Sequence, residues 1–116
     1  MDDDIAFLQD LYDRFNTRDI DGVLAGLTAD IAWANGMEGG HIYGREAIRA
    51  YWTRQWRTID PHVEPVGFER RADGTIVAEV QQTVRDLTGK VLATNVVGHV
   101  FRLRHGKVAR FDIDGV

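Results

Sequence analysis

The side chains able to do chemistry are few, and most are neutral. His99 stands inside an otherwise apolar, β-branched run, VLATNVVGHVFRL, from Val91 to Leu103. An imidazole titrates near neutrality, so it can act as acid, base or hydrogen-bond donor. It can equally be a core histidine whose hydrogen bonds are satisfied. Gln82, in VAEVQQTV, shares a strand face with Val80 and Val84. If that face is inward, Gln82 projects beside His99 from the neighbouring strand; a one-residue shift would turn Gln81 inward instead. Asn35 shares a face with Trp33 and, with Trp52, makes a group of two indoles near an amide. That group suits a flat or greasy ligand, or is plain packing. Trp56 lies one turn beyond Trp52, at the expected rim. Tyr12 offers its phenol either to a pocket or to the edge of a core. Glu38 and His41, in GMEGGHIYG, are a candidate lid pair or solvated loop residues. The glycines there lack the spacing and lysine of a phosphate loop. His41, His62, His99 and His105 fall on different elements without i,i+4 spacing, so no metal site is expected.

The composition narrows the classes further. The 116 residues suffice for one domain, residues 1–116, with one real core. Net charge is −4 with scattered Lys and Arg, which argues against a nucleic-acid surface. The absence of cysteine excludes disulfides, thiol catalysis and zinc–thiolate sites. The acidic start, MDDDIAF, is unlike a signal peptide, and no apolar run is long enough for a membrane helix. A cytoplasmic location is the default expectation. No cofactor motif is present, so none is expected.

The elements that must position these groups read as follows. Asp2–Asp4 start a helix to about Thr17, with Ile5, Leu8, Leu11, Tyr12 and Phe15 at helical spacing. Asp19 caps a short second helix weakened by Gly22 and Gly26. Asp30–Asn35 reads as a short strand, followed by a glycine-rich connection. Arg45–Arg57 is a third helix, stopped by Asp60-Pro61. Val63–Arg71, Thr75–Leu87, Val91–Arg104 and Lys107–Ile113 make an antiparallel meander with glycine in each turn. Helices followed by long hairpin strands indicate an α+β fold, with helices packed on one face of the sheet.

The segments LYDRFNTRDIDGVLAGLTADIAW, YGREAIRAYW and VFRLRHGKVARFDI, in this order, resemble the nuclear-transport-factor-2-like (NTF2-like) superfamily. This superfamily includes SnoaL-like polyketide cyclases and ketosteroid isomerases. The resemblance implies a cone-shaped fold: three N-terminal helices packed on a strongly curved antiparallel sheet. The general-base aspartate of the isomerases falls on Asn35, which cannot take a proton. Their oxyanion tyrosine falls on Leu11, beside Tyr12, and their second oxyanion donor falls on His99. The resemblance therefore implies that Asn35 and His99 face into the cone, without ketosteroid isomerase chemistry. Trp52 matches a pocket-lining aromatic and Phe111 an apolar pocket residue on the last strand. Asp112 and Asp114 resemble the acid–base aspartate of the cyclases, although alternation from Phe111 and Ile113 turns both outward unless a bulge intervenes.

The function expected is a small-molecule pocket, acting as a cofactor-independent isomerase, cyclase or hydratase on a small apolar carbonyl compound. His99 would be acid, base or oxyanion donor, with Asp112 a candidate acid–base; Asn35 and Gln82 would orient the substrate, and Trp33, Trp52 and Phe111 would grip it. The alternative is a non-catalytic ligand-binding or scaffold domain. A small apolar or aromatic ligand is the expected partner, together with a second copy of the chain through the convex sheet face at Val96, Gly98 and Val100.

Overall fold

The computed structural model describes residues 2–36 and 38–114, so Met37 of the glycine-rich connection lies outside the described residues. Helix α1 spans Asp3–Asn16. Asp2 caps it, its carboxylate accepting from the backbone N–H of Asp4 at 3.0 Å and of Ile5 at 3.4 Å. Leu8, Leu11 and Tyr12 form its buried stripe. Helix α2 is short, Ile20–Leu24, and Asp19 caps it through the Gly22 N–H at 3.0 Å. Strands β1 (Leu27–Ala34) and β2 (His41–Tyr43) precede helix α3, Arg45–Gln55. Four strands complete the chain: β3 (Ile59–Arg70), β4 (Ile76–Asp86), β5 (Val91–Arg104) and β6 (Lys107–Asp114).

One six-stranded sheet results, in the order β2-β1-β6-β5-β4-β3. The fold is mixed α+β with a curved sheet, and a strand precedes the third helix, in the order the sequence indicates. One expected detail changes: the sheet is not purely antiparallel, because β1 lies parallel to β6, with Trp33 opposite Phe111. The chain enters β1 from the helical layer rather than from a hairpin, so its direction is free of the hairpin rule.

Two other differences have local causes. The glycine-rich connection contains β2, since Gly39 and Gly40 take positive φ (82° and 72°) and fold the chain back so that Ala34 faces His41. Strand β3 begins at Ile59, ahead of the expected Val63, and runs through Pro61 and Pro65. It lies at the sheet edge, where a missing N–H is tolerated.

Side chains tie the helices to this sheet. Asn16, the last residue of α1, pairs its amide with both backbone groups of Val63: Nδ2 donates to the carbonyl at 2.8 Å and Oδ1 accepts from the N–H at 3.0 Å. The amide thus acts as a one-residue neighbour for the edge strand. Arg45 directs Nε and Nη2 at the carbonyl of Leu27, at 3.0 and 2.6 Å. That carbonyl lies where the β1–β6 register is interrupted, between Leu27 and Ala32. Gly44, just before α3, has φ 88° and ψ 152°, a conformation reserved for glycine. These two residues explain the Gly-Arg of the GREAI segment without reference to function. Among the described residues no helix is long and apolar enough to cross a membrane.

Candidate functional site

The inner face of the sheet and helices α1 and α3 line a partly open cavity of about 290 Å³. Its polar floor is built by two elements far apart in sequence. Strand β5 turns His99 inward, opposite Ala78 of β4, and leaves it only 6% exposed. Helix α1 brings Tyr12, at 6% exposure, directly over it. The Tyr12 hydroxyl lies 2.7 Å from His99 Nδ1, and the rings are nearly parallel at 5.8 Å.

Both groups are neutral at neutral pH. Burial pushes the His99 pKa down to about 4 and raises that of the Tyr12 phenol. A phenol is a better donor than a neutral imidazole N–H, and an imidazole nitrogen is a better acceptor than a phenol oxygen. We therefore assign the shared proton to Tyr12, donating to Nδ1, which places the other imidazole proton on Nε2. Nε2 makes no hydrogen bond among the described residues, and His99 lines the cavity. The floor thus presents a neutral N–H donor.

Aromatic rings surround this donor. Phe111 meets His99 edge-on at 4.8 Å and stacks on Trp33 at 4.0 Å. Trp33 in turn meets Trp52 edge-on at 5.3 Å. Trp52, Trp33 and Phe111 all line the cavity, with Phe101 on the floor. Among the described lining residues none is Asp, Glu, Lys or Arg.

The structure brings together Tyr12, His99, Trp33, Trp52, Phe111 and, further out, Gln82. Gln82 is on the inner face, but it pairs with Asn95 rather than lying beside His99, which pairs with Ala78. The four-residue offset sets them about 13 Å apart along the strands at ~3.3 Å per residue, so Gln82 belongs to the outer part of the cavity.

Other expected site residues lie elsewhere. Asn35 follows β1 and does not line the cavity; its Oδ1 accepts from the Glu38 N–H at 3.0 Å, closing the turn before β2. Its amide is used by the loop because the strand ends at Ala34. Trp56 also stays off the cavity wall: it stacks on Trp52 at 6.0 Å and lies under the Arg18 guanidinium at 4.8 Å. Asp112 faces away from the cavity. Phe101–Phe111 and Val100–Asp112 are successive pairs, and the β5–β6 irregularity lies at Arg102/Leu103, too far along to reverse it. On the outer side the Asp112 carboxylate accepts from Arg110 Nε at 2.8 Å and lies 2.7 Å from His41 Nε2. Arg110 and His41 lower its pKa against the opposing effect of partial burial. His41 is therefore paired with Asp112 rather than acting with Glu38, which is exposed.

Two polar residues of the helix face that the sequence turns inward also belong to the wall, though neither was expected at the site. Tyr51 and Gln55 of α3 line the cavity beside Trp52, and Gln55 Nε2 lies 3.5 Å from the Tyr51 hydroxyl. Their helical spacing with Trp52 marks the shared face, but not the direction of their polar tips.

Comparison with known proteins agrees with this architecture. Residues 8–111 match the family model of the SnoaL-like domain. A nuclear-transport-factor-2-like protein of unknown function from Burkholderia pseudomallei is 26% identical, with TM-score 0.86, over 100% of this chain and 92% of that one. TerC, co-crystallised with polyporic acid, is also 26% identical, with TM-score 0.84, over 97% and 91% of the two chains. An LEH-like epoxide hydrolase of M. tuberculosis shares the fold at 18% identity, with TM-score 0.80, over 97% and 82%. No curated protein matches the chain. With nearly its whole length matched, the chain belongs to the SnoaL-like domain family of the nuclear-transport-factor-2-like superfamily.

Proposed function

We propose that the protein is a cofactor-independent enzyme of the isomerase or cyclase type, acting on a small, mostly apolar carbonyl compound. The observation that carries this reading is the neutral Tyr12–His99 pair at the floor of an aromatic cavity. His99 Nε2–H would hydrogen-bond the carbonyl oxygen and stabilise the charge it gains in the transition state. Tyr12 would act as a positioning residue, holding His99 in the tautomer that donates. A fixed donor needs little reorganisation as charge develops, and removal of one such donor typically costs ~10²–10³ in rate. The likeness to TerC, crystallised with polyporic acid, supports an organic ligand in the cavity.

The test is a panel of neutral enones and keto-aldehydes, followed by chromatography with mass detection for products of unchanged mass or of mass reduced by one water. Conversion by the wild type, reduced by about a hundredfold in His99→Leu, which removes the donor, and by less in Tyr12→Phe, supports the reading. A second reading, a non-catalytic binding domain, is favoured by the absence of a carboxylate among the described lining residues. Binding of panel members without conversion of any would establish that reading in place of the first.

We also propose a homodimer through the outer sheet face, where Val96 remains 46% exposed on the side opposite His99. Apolar surface on a sheet face favours association. Sedimentation at low micromolar concentration should give twice the 13.1 kDa chain mass; a stable monomer would rule the dimer out.

A further inference from the structure

We infer that the cavity takes an uncharged ligand with hydrogen-bonding groups at both ends of an apolar body: an acceptor at His99 Nε2 and a second polar group at Gln82. This rests on the reading of the cavity as a ligand site and goes on to name the class of ligand.

The absence of charge follows from the wall. None of the described lining residues is ionic. A carboxylate, phosphate or ammonium carried to the floor would lose its hydration and find no counter-ion there. Aromatic rings can hold a cation, but only through open faces. Here Phe111 covers one face of Trp33 at 4.0 Å, and Trp52 meets Trp33 nearly perpendicular. These rings are committed to each other rather than arranged as a cage.

The inner group follows from the proton on His99. With Nδ1 occupied by the Tyr12 hydroxyl, the floor presents Nε2–H and no facing acceptor on the imidazole. It matches a carbonyl, ether or epoxide oxygen and gives nothing to an amine N–H.

The outer group follows from Gln82. Its side chain is half-buried on the inner sheet face, lines the cavity, and makes no hydrogen bond among the described residues. Between the levels of His99 and Gln82 the paired inward residues are Val80 and Val97, which offer no hydrogen bond. The separation of about 13 Å between the two backbone levels is shortened by both inward side chains, leaving room for a body of about two rings. An amide both donates and accepts, so a hydroxyl, carbonyl or amide can pair with it, and no charged residue among the described lining residues would balance an ion there.

Five biphenyls test this by isothermal titration calorimetry on the wild-type chain. They are para-acetylbiphenyl, its para′-hydroxy derivative, para-isopropylbiphenyl, para-phenylbenzoate and para-phenylbenzylammonium. The ketone should bind about tenfold more tightly than the isopropyl compound, the value of one buried hydrogen bond. The two ions should bind at least ~100-fold more weakly than the ketone. The para′-hydroxyl should add a further ~5-fold or more, and Gln82→Leu should abolish that gain, read as the ratio of the two affinities within the variant. Either ion binding within tenfold of the ketone overturns the inference, as does a hydroxyl that adds nothing or whose gain survives in Gln82→Leu. A ketone preference over the isopropyl compound, without the hydroxyl effect, overturns this inference alone and leaves the proposed function standing. Failure of all five to bind overturns both.

Discussion

At the scale of the residue, His99 has two consequences, one for chemistry and one for stability. Its pKa is depressed to about 4 by burial, while in the unfolded chain it titrates near 6.5. Between these values the unfolded state holds a proton that the native state lacks, so native stability rises with pH. The contribution is fully present above about pH 6.5 and is lost as pH falls toward 4, a change of about 3 kcal/mol. Urea unfolding of the wild type and of His99→Gln at pH 7 and pH 4 checks this. The wild type should lose about 3 kcal/mol more than the variant on acidification; equal losses would mean that His99 is not buried as a neutral group. Glutamine is the apt replacement because its carbonyl can still accept from Tyr12. Asp112 shows the opposite case. An ionised carboxylate is the strongest candidate base in the sequence around the last strand, yet strand alternation places it on the outer side with Arg110 and His41.

At the scale of the element, the cavity depends on how α1 is held to the sheet edge. Asn16 supplies both hydrogen bonds to Val63, and Val63 itself lines the cavity at 8% exposure. Asn16→Ala would remove both partners of a partly buried N–H and carbonyl, and should cost about 1–2 kcal/mol by chemical denaturation. The same variant should weaken ligand binding, because α1 also carries Tyr12. Loss of less than about 0.5 kcal/mol would show that water replaces the amide freely. Most of these elements are legible in the sequence. Acidic caps mark α1 and α2, an apolar stripe marks α3, and glycine turns divide β3 to β6. The missing parts have physical reasons. β2 is too short to carry a periodic pattern, and the prolines of β3 count against a strand until its edge position is known.

At the scale of the whole molecule, a curved sheet closed by two main helices leaves space that the core does not fill. The cavity of about 290 Å³ is space that side chains do not fill, so stability must come from packing around it. Val84, half-buried on the cavity wall beyond Gln82, gives a direct test. Val84→Phe should occupy cavity volume and change stability by no more than about 1 kcal/mol, while lowering affinity for para-acetylbiphenyl by tenfold or more. Thermal unfolding and calorimetry measure the two effects; unchanged affinity would place the ligand elsewhere. Any ligand that does bind should raise the melting temperature with concentration, since it binds only the folded chain.

The sequence by itself determined the α+β class, the order of most elements, which side chains share each face of β5, and the family resemblance. Hydrophobic periodicity and turn chemistry act over a few residues, so a chain displays them before it folds. Tertiary structure alone decided which of the inward faces meet. Tyr12 and His99 are separated by 87 residues, and their hydrogen bond exists only because α1 crosses over β5. The same long-range register separates Gln82 from His99, turns Asp112 outward, and sets β1 parallel to β6. Alternation names the face of each side chain; only the pairing of strands and the docking of helices decides what stands opposite it.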